Sequence, residues 1–252
     1  MTIQYASDLH LEFPENRRFI HDNPLSPVGD ILILAGDVVP FDQLDQHQDF
    51  FSYVSDHFQT TWWIPGNHEY YHGDIVGKSG IMHESLRPNV HLVNNYAATH
   101  GEVRFIFSTL WSNISPVNQW HIWQGLNDFR LISNGSAKLS VDDYNRLHQD
   151  ALDFISQEFH SPFEGKTVVT THHVPTLLHY PEKYIHDKLN EAFAVELEVL
   201  IFDTQPDYWI FGHHHHNQDP FSLGKTQFLS NQLGYVQREE HLLFQNDKII
   251  TI

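Results

Sequence analysis

No cysteine occurs in the 252 residues. Disulfides, thiol nucleophiles and Cys-ligated zinc or iron–sulfur sites are therefore excluded, and any metal must sit on nitrogen and oxygen ligands. Positive charge is scarce too: 14 Lys+Arg stand against 32 Asp+Glu, a formal net charge of −18. The densest basic spot is the pair Arg17-Arg18, far short of the footprint that tracks a nucleic-acid backbone. An extended nucleic-acid groove is thus not expected. A small phosphate ester stays open as a partner, because bound cations can supply the charge locally. Long apolar runs are missing as well. The stretch from Ile31 to Ala35 is far too short for a bilayer, and the opening MTIQYASDLH lacks both the basic and the apolar stretch of a signal peptide. These absences lead us to expect a soluble, cytoplasmic protein without a membrane partner.

What is present is apolar content of 40%, with 13% aromatics, enough for a sizeable core. No repeat or linker divides the chain, so one domain over residues 1–252 is expected. Short apolar runs end abruptly in polar residues: Ile3–Ala6 before Ser7-Asp8, Ile31–Ala35 before Gly36-Asp37, and Trp62–Ile64 before Pro65-Gly66-Asn67-His68. The same pattern returns at Val103–Phe107, at Thr167–Thr170 before His172, and at Tyr208–Phe211 before Gly212-His213. Such runs suit strands buried on both faces. Helical spacing between them predicts helices over Asp42–Phe58, over Ser140–Phe159 with Ser140 and Asp143 as a capping box, and over Glu191–Ile201. Residues Glu239–Ile252 read as a hairpin. Strands alternating with helices give an α/β domain, in which ligands bind beyond the carboxyl ends of the strands.

The chain carries 21 histidines, and a few fall at those ends. Asp8-Leu9-His10, Gly36-Asp37, Gly66-Asn67-His68-Glu69, His172-His173 and Gly212-His213-His214-His215 each follow an expected strand. In an extended segment residues i and i+2 point the same way. Asp8 with His10, and His213 with His215, can then aim paired ligands at one centre. Each glycine allows a sharp turn before a candidate ligand. Any one piece is weak evidence, since Asp-x-His is common and a histidine run can be a solvated loop. The ordered set is not weak.

That order resembles the signature of the calcineurin-like metallophosphoesterase superfamily, over Asp8 to His215. The resemblance implies a four-layer αββα sandwich of two mixed β-sheets flanked by helices, and a compact, bacterial-type member. It implies two divalent or trivalent ions, with manganese, iron and zinc the candidates that imidazole and carboxylate ligands suit. Asp8, His10, Asp37 and His215 would hold one ion; Asp37 would bridge to a second, completed by Asn67, His172 and His213. The family pattern favours His172 over its neighbour His173. His68 would be the catalytic histidine, donating a proton to the leaving alcohol. Two metals would activate a bridging hydroxide for in-line attack on the phosphate ester.

Departures from the family's branches narrow the substrate. Protein Ser/Thr phosphatases carry Gly-Asp-x-x-Asp-Arg-Gly, whereas this chain has Gly36-Asp37-Val38-Val39-Pro40-Phe41. The phosphate-binding Arg and the His-orienting Asp of that branch have no counterpart in this block. A small phosphodiester is the expected substrate, with a small-molecule phosphomonoester as the alternative; a nuclease and a catalytically inactive protein-binding scaffold are further rivals. The segment Thr109–Asn134, rich in aromatics, offers a lid in which Trp123 would stack on substrate and Arg130 would meet phosphate. The competing reading packs these aromatics into a satellite core. Tyr70, Tyr71 and His72, beside the His68 block, are further candidates for the pocket wall, and Glu69 and Asp128 are candidates to orient ligands.

Overall fold

The computed structural model describes residues 1–252. All six apolar runs contain strands. In the first half of the chain, Thr2–Ala6 forms β1, Pro14–Asp22 α1, Ile31–Ala35 β2, Gln48–His57 α2, Thr60–Ile64 β3, Met82–Arg87 β4 and Val90–Asn94 β5. The second half continues with Tyr96–His100 as β6, Val103–Ser108 as β7, Gln119–Gly125 as α3 and Asp128–Leu131 as α4. A short ladder of Ser133–Asn134 (β8) and Ala137–Lys138 (β9) precedes Val141–His160 (α5), Lys166–Thr171 (β10) and Glu198–Thr204 (α6). Tyr208–Ile210 (β11), Phe221–Leu223 (β12), Thr226–Leu229 (β13) and Ile249–Thr251 (β14) complete the chain.

Two mixed six-stranded sheets result, in the orders β14-β1-β2-β3-β5-β4 and β12-β13-β11-β10-β7-β6. Each is parallel at its centre and antiparallel at both edges. Alternation along the strands builds the layers. Ile31, Ile33 and Ala35 of β2 join Ile3 and Tyr5 in a core that also takes Phe105, Phe107, Val168 and Ile210 from the other sheet. Leu32 and Leu34 face the opposite way, onto Ile20 of α1 and Phe51 and Val54 of α2. In the second sheet Ile106, Val169 and Trp209 turn outward against Ile155 of α5 and Ile201 of α6. Helix, sheet, sheet and helix therefore stack in four layers.

The cap expected at Ser140 is present: its hydroxyl accepts from the Asp143 N–H, and the Asp143 carboxylate accepts from the Ser140 N–H. Three other expectations need correction. The helix expected over Asp42–Phe58 is a tight 3-10 turn, Phe41–His47, followed by α2, because His47 (φ −122°, ψ 26°) leaves the helical region. Over Glu191–Ile201, a short turn at Asn190–Ala192 gives way to extended chain before α6. There Val174 donates its N–H to the Phe193 carbonyl and accepts from the Val195 N–H, in place of a helix ladder. The C-terminal hairpin does not form either. Glu240–Leu243 is a 3-10 turn, and β14 pairs with β1, closing an edge that would otherwise present unpaired backbone groups.

Candidate metal centre

The loops after β1, β2, β3, β10 and β11 meet at one end of the sandwich. They are laced by backbone bonds: Asp8 N–H donates to the Gly36 carbonyl, His10 N–H to that of Asp37, and Gly212 N–H to that of His172. The backbone here is not extended as the pairing argument supposed. Asp8 (φ +56°), His10 (+47°), Asp37 (+53°), His213 (+79°) and His215 (+48°) all lie in the left-handed region, which non-glycine residues rarely occupy. Such conformations persist where surrounding structure over-determines them, and they concentrate at functional sites.

Two clusters that share Asp37 result: Asp8, His10, Asp37 and His215 form one, and Asp37, His172 and His213 the other; a third group, His10, Glu12 and His68, adjoins the first. Asp37 belongs to both: Oδ2 lies 3.7 Å from His10 Nε2, and Oδ1 lies 3.4 Å from His172 Nε2. His213 and His215 therefore aim at different centres, not at one. Asn67 turns its carbonyl oxygen to within 3.3 Å of His172 Nε2, while its amide N–H donates to Asp128 at 2.9 Å. Asp128 also accepts from the Tyr71 hydroxyl at 2.7 Å, so this buried acid sets which way the Asn67 amide faces.

The far side of each ring is anchored. His10 Nδ1 meets Glu12, His215 Nδ1 meets Glu240 at 2.7 Å, and His172 Nδ1 meets the Ala35 carbonyl at 2.9 Å. Anchors of this kind fix tautomer and direction in metal-ligating histidines. They also give a test of fit. With the other nitrogens of His10 and His215 committed to carboxylates, their Nε2 atoms face each other at 2.9 Å. Two lone pairs at that separation repel unless a proton or a cation lies between them. Space is reserved as well. A Cβ on Gly66 would sit 2.1 Å from Asp37 Oδ1 and 2.6 Å from His172 Nε2, and one on Gly212 would sit 2.6 Å from Asp8 Oδ2. Nitrogen and oxygen donors in this arrangement suit divalent first-row cations.

His173 is turned away. Its Nδ1 lies 3.2 Å from the Thr109 carbonyl and its Nε2 3.0 Å from the Tyr144 hydroxyl, so both nitrogens are occupied. His213 is held between the rings of His173 and Phe193. His214 bonds the Gln232 side chain and joins neither cluster. Glu69 has a different task. Its carboxylate collects N–H donors from Asp37, Val38, Gly66 and the Trp63 indole, stapling the β2 and β3 loops. Glu69→Gln would set an NH₂ group against those donors. It should lower stability by about 1–3 kcal/mol, the cost of buried polar groups left unpaired. The denaturant midpoint, measured with an unchanged slope, checks this.

Protons compete with metal here. Burial works against charge on His215, but Asp8 and Glu240 lift its pKa to about 10; Asp37 and Asp8 lift His172 to about 9 against the same burial. Each ring must shed that proton to bind a cation. Affinity of the metal-free protein for Mn²⁺ should therefore climb as pH rises toward 9, with proton release on binding. A competition titration yielding the same affinity across that range would contradict the arrangement.

His68 lies beside the first cluster. Burial disfavours its charged form, yet Asp37, Glu12 and Asp128 outweigh it and raise the pKa. A cavity of about 410 Å³ opens above, lined among others by Asp37, Asn67, His68, Tyr71, Tyr235 and Arg238. The remaining sequence candidates fall elsewhere. Trp123 is 46% exposed and stacks on Trp120. Arg130 is exposed and donates to the Gln124 carbonyl, and neither lines the cavity. Tyr70 is buried, with its hydroxyl on the Lys78 carbonyl. It packs with Trp111, Ile122, Phe129 and Tyr144 in a satellite core, the competing reading of the aromatic segment. Even so, Leu126 and Asn127 of that segment reach the cavity wall.

Sequence reasoning missed Glu12, Glu240 and Tyr235. The alternation Asp8-x-His10-x-Glu12 was a usable signal for the first; nothing local marks the other two.

The family described as calcineurin-like phosphoesterase matches residues 1–217. The chain is similar to "Uncharacterized protein L509" of Acanthamoeba polyphaga mimivirus, 32% identical over 262 residues, covering 92% of this chain and 91% of the relative. In fold it is similar to the Phosphopantetheinyl Hydrolase from Mycobacterium tuberculosis, with a TM-score of 0.70 and 16% identity over 94% of this chain and 90% of that one.

Proposed function

The chain belongs to the calcineurin-like phosphoesterase family, and on that premise we propose that it hydrolyses a small phosphodiester with two divalent cations. The observation that carries the reading is Asp37, which turns one carboxylate oxygen to each of two buried His/Asp clusters on the floor of a cavity. Asp8, His10, Asp37 and His215 would hold one cation; Asp37, Asn67, His172 and His213 would hold the other. When bound, such a pair supplies positive charge to the phosphate and activates water as a nucleophile.

The protein's own groups do the rest. Asn67 is fixed by Asp128, and His215 by Glu240, so both sets of donors are preorganised before substrate arrives. His68 presents Nε2 beside the Tyr235 hydroxyl, 3.4 Å away. The Glu12 carboxylate at its Nδ1 favours the protonated ring, which keeps a proton available at Nε2 for the departing alkoxide. Leu126, Leu189 and Phe193 give the cavity an apolar side, suited to the second ester arm.

Charge favours a diester over a monoester. Arg238 is the sole Lys or Arg among the lining residues, while Asp187 and Glu240 add negative charge. A phosphodiester carries one negative charge and a monoester close to two at neutral pH. The diester thus asks less of a wall so poor in cations. The cavity's size also falls within the range usual for small-molecule sites, about 300–1,000 Å³.

The test uses Mn²⁺-reconstituted protein on a chromogenic phosphodiester and the matching monoester in parallel. Faster diester turnover supports the reading and directs the next screen to cyclic nucleotides. A phosphopantetheinyl diester joins that screen because the mycobacterial relative is named for such a group. Monoester preference would overturn the substrate class and leave the reaction type standing.

A further inference from the structure

We propose that Glu12 is the positioning residue for the general acid, one carboxylate oxygen tying His68 to the metal ligand His10. The proposal rests on the phosphodiesterase reading of this site and deepens it. Glu12 Oε1 lies 3.1 Å from His10 Nδ1 and 3.0 Å from His68 Nδ1. Its other oxygen, Oε2, is buried and has no hydrogen-bond partner. Both imidazoles thus converge on a single atom. Their rings stand edge to face, 4.5 Å between centroids at 73°.

Chemistry follows from which nitrogens are used. A carboxylate is acceptor-only, so each imidazole donates its Nδ1–H to Glu12. The Nε2 atoms then project the other way. That of His10 faces Asp37 and His215, and that of His68 faces the cavity beside Tyr235. One oxygen therefore sets the direction of a cation ligand and of the proton donor, and fixes the distance between them. Placement within a few tenths of an ångström is what a proton transfer in the transition state demands.

This assigns the orienting carboxylate that the second sequence block lacks. Past Asp37 that block continues Val38-Val39-Pro40-Phe41, with no acid to offer. Glu12 arrives from the first block, two residues beyond His10. Its side chain reaches from the β1 loop to His68 in the β3 loop.

Two readouts test it, using Glu12→Gln, which keeps the shape and removes the charge. The first needs no activity: nitrogen-detected NMR of metal-free protein, with His68→Ala and His10→Ala supplying assignments. Wild type should give two hydrogen-bonded Nδ1–H signals, from His10 and His68, and Glu12→Gln should weaken and shift both together. A wild-type spectrum without them, or one that Glu12→Gln leaves unchanged, overturns the proposal even if the chain hydrolyses nothing. Complete inactivity of the wild type would count against the functional reading alone.

The second is a leaving-group series with metal-loaded protein. For a diester of p-nitrophenol, whose anion departs without help, the loss in kcat/KM should stay below about tenfold. With an unactivated alkoxide it should grow toward the roughly 10²–10⁴-fold worth of general acid catalysis. Equal losses across the series, with a normal unfolding midpoint, would assign Glu12 a merely structural part.

Discussion

Asp37→Ala is expected to prevent loading of the metal pair and to abolish phosphodiester hydrolysis. No other side chain belongs to both clusters. Burial alone would push its carboxyl upward in pKa, but the charges of His172 and His68 hold it well below the ordinary range. It is therefore an ionised group at neutral pH, ready for cations. Its Oδ1 also accepts the His68 backbone N–H at 2.9 Å, so the substitution loosens the acid as well as the ligand set. Loss of an outer partner to a metal site typically costs about 10–100-fold; loss of this shared ligand should cost far more. Elemental analysis of reconstituted protein should find fewer than two cations per chain. A variant that kept both cations and most of its turnover would remove Asp37 from the centre of the account.

His68→Ala should behave differently. Its ring belongs to neither of the two clusters that share Asp37, and the nitrogen on its cavity side meets a tyrosine hydroxyl at 3.4 Å. Both cations should bind as in wild type. Turnover of substrates with poor leaving groups should fall by about 10²–10⁴-fold, while an activated aryl ester loses much less. The sign of the pH dependence follows from the same ring. A general acid works while protonated, and the pKa of His68 is raised. With excess metal holding both cations in place, the rate should decline as pH climbs through that raised value, and this alkaline limb should vanish in His68→Ala. Simultaneous loss of metal would make His68 a structural part of the centre.

Much of this was legible in the sequence, for identifiable reasons. Continuous apolar runs such as Ile31–Ala35, buried at every position, mark strands sandwiched between two apolar layers, and those runs carry the ligands at their ends. The capping box at Ser140 is likewise a local signal with a local consequence. Errors arose where distant contacts decided the outcome. Residues Val195–Leu197 pair with Val174 and Pro175 instead of coiling, and β14 leaves its expected hairpin partner to close the β1 edge. Within the site, the family resemblance divides the ligands between two centres, whereas the spacing of residues in extended chain sends His213 and His215 to one. Left-handed backbone at His213 and His215 sends those side chains apart, which a rule for extended chain does not anticipate. The partners Glu240 and Tyr235 reach the site from the far end of the chain. Arg130 and Trp123 have suitable chemistry in a long aromatic segment, but the fold places both outside the cavity.

The most direct measurement is a titration of metal-free protein with Mn²⁺ in which bound metal and turnover of a chromogenic phosphodiester are followed together. Binding should saturate at two cations per chain, and turnover should appear with the pair and be absent from Asp37→Ala. Protein that takes up both cations yet hydrolyses neither diester nor monoester, or that takes up none, would contradict the proposed function.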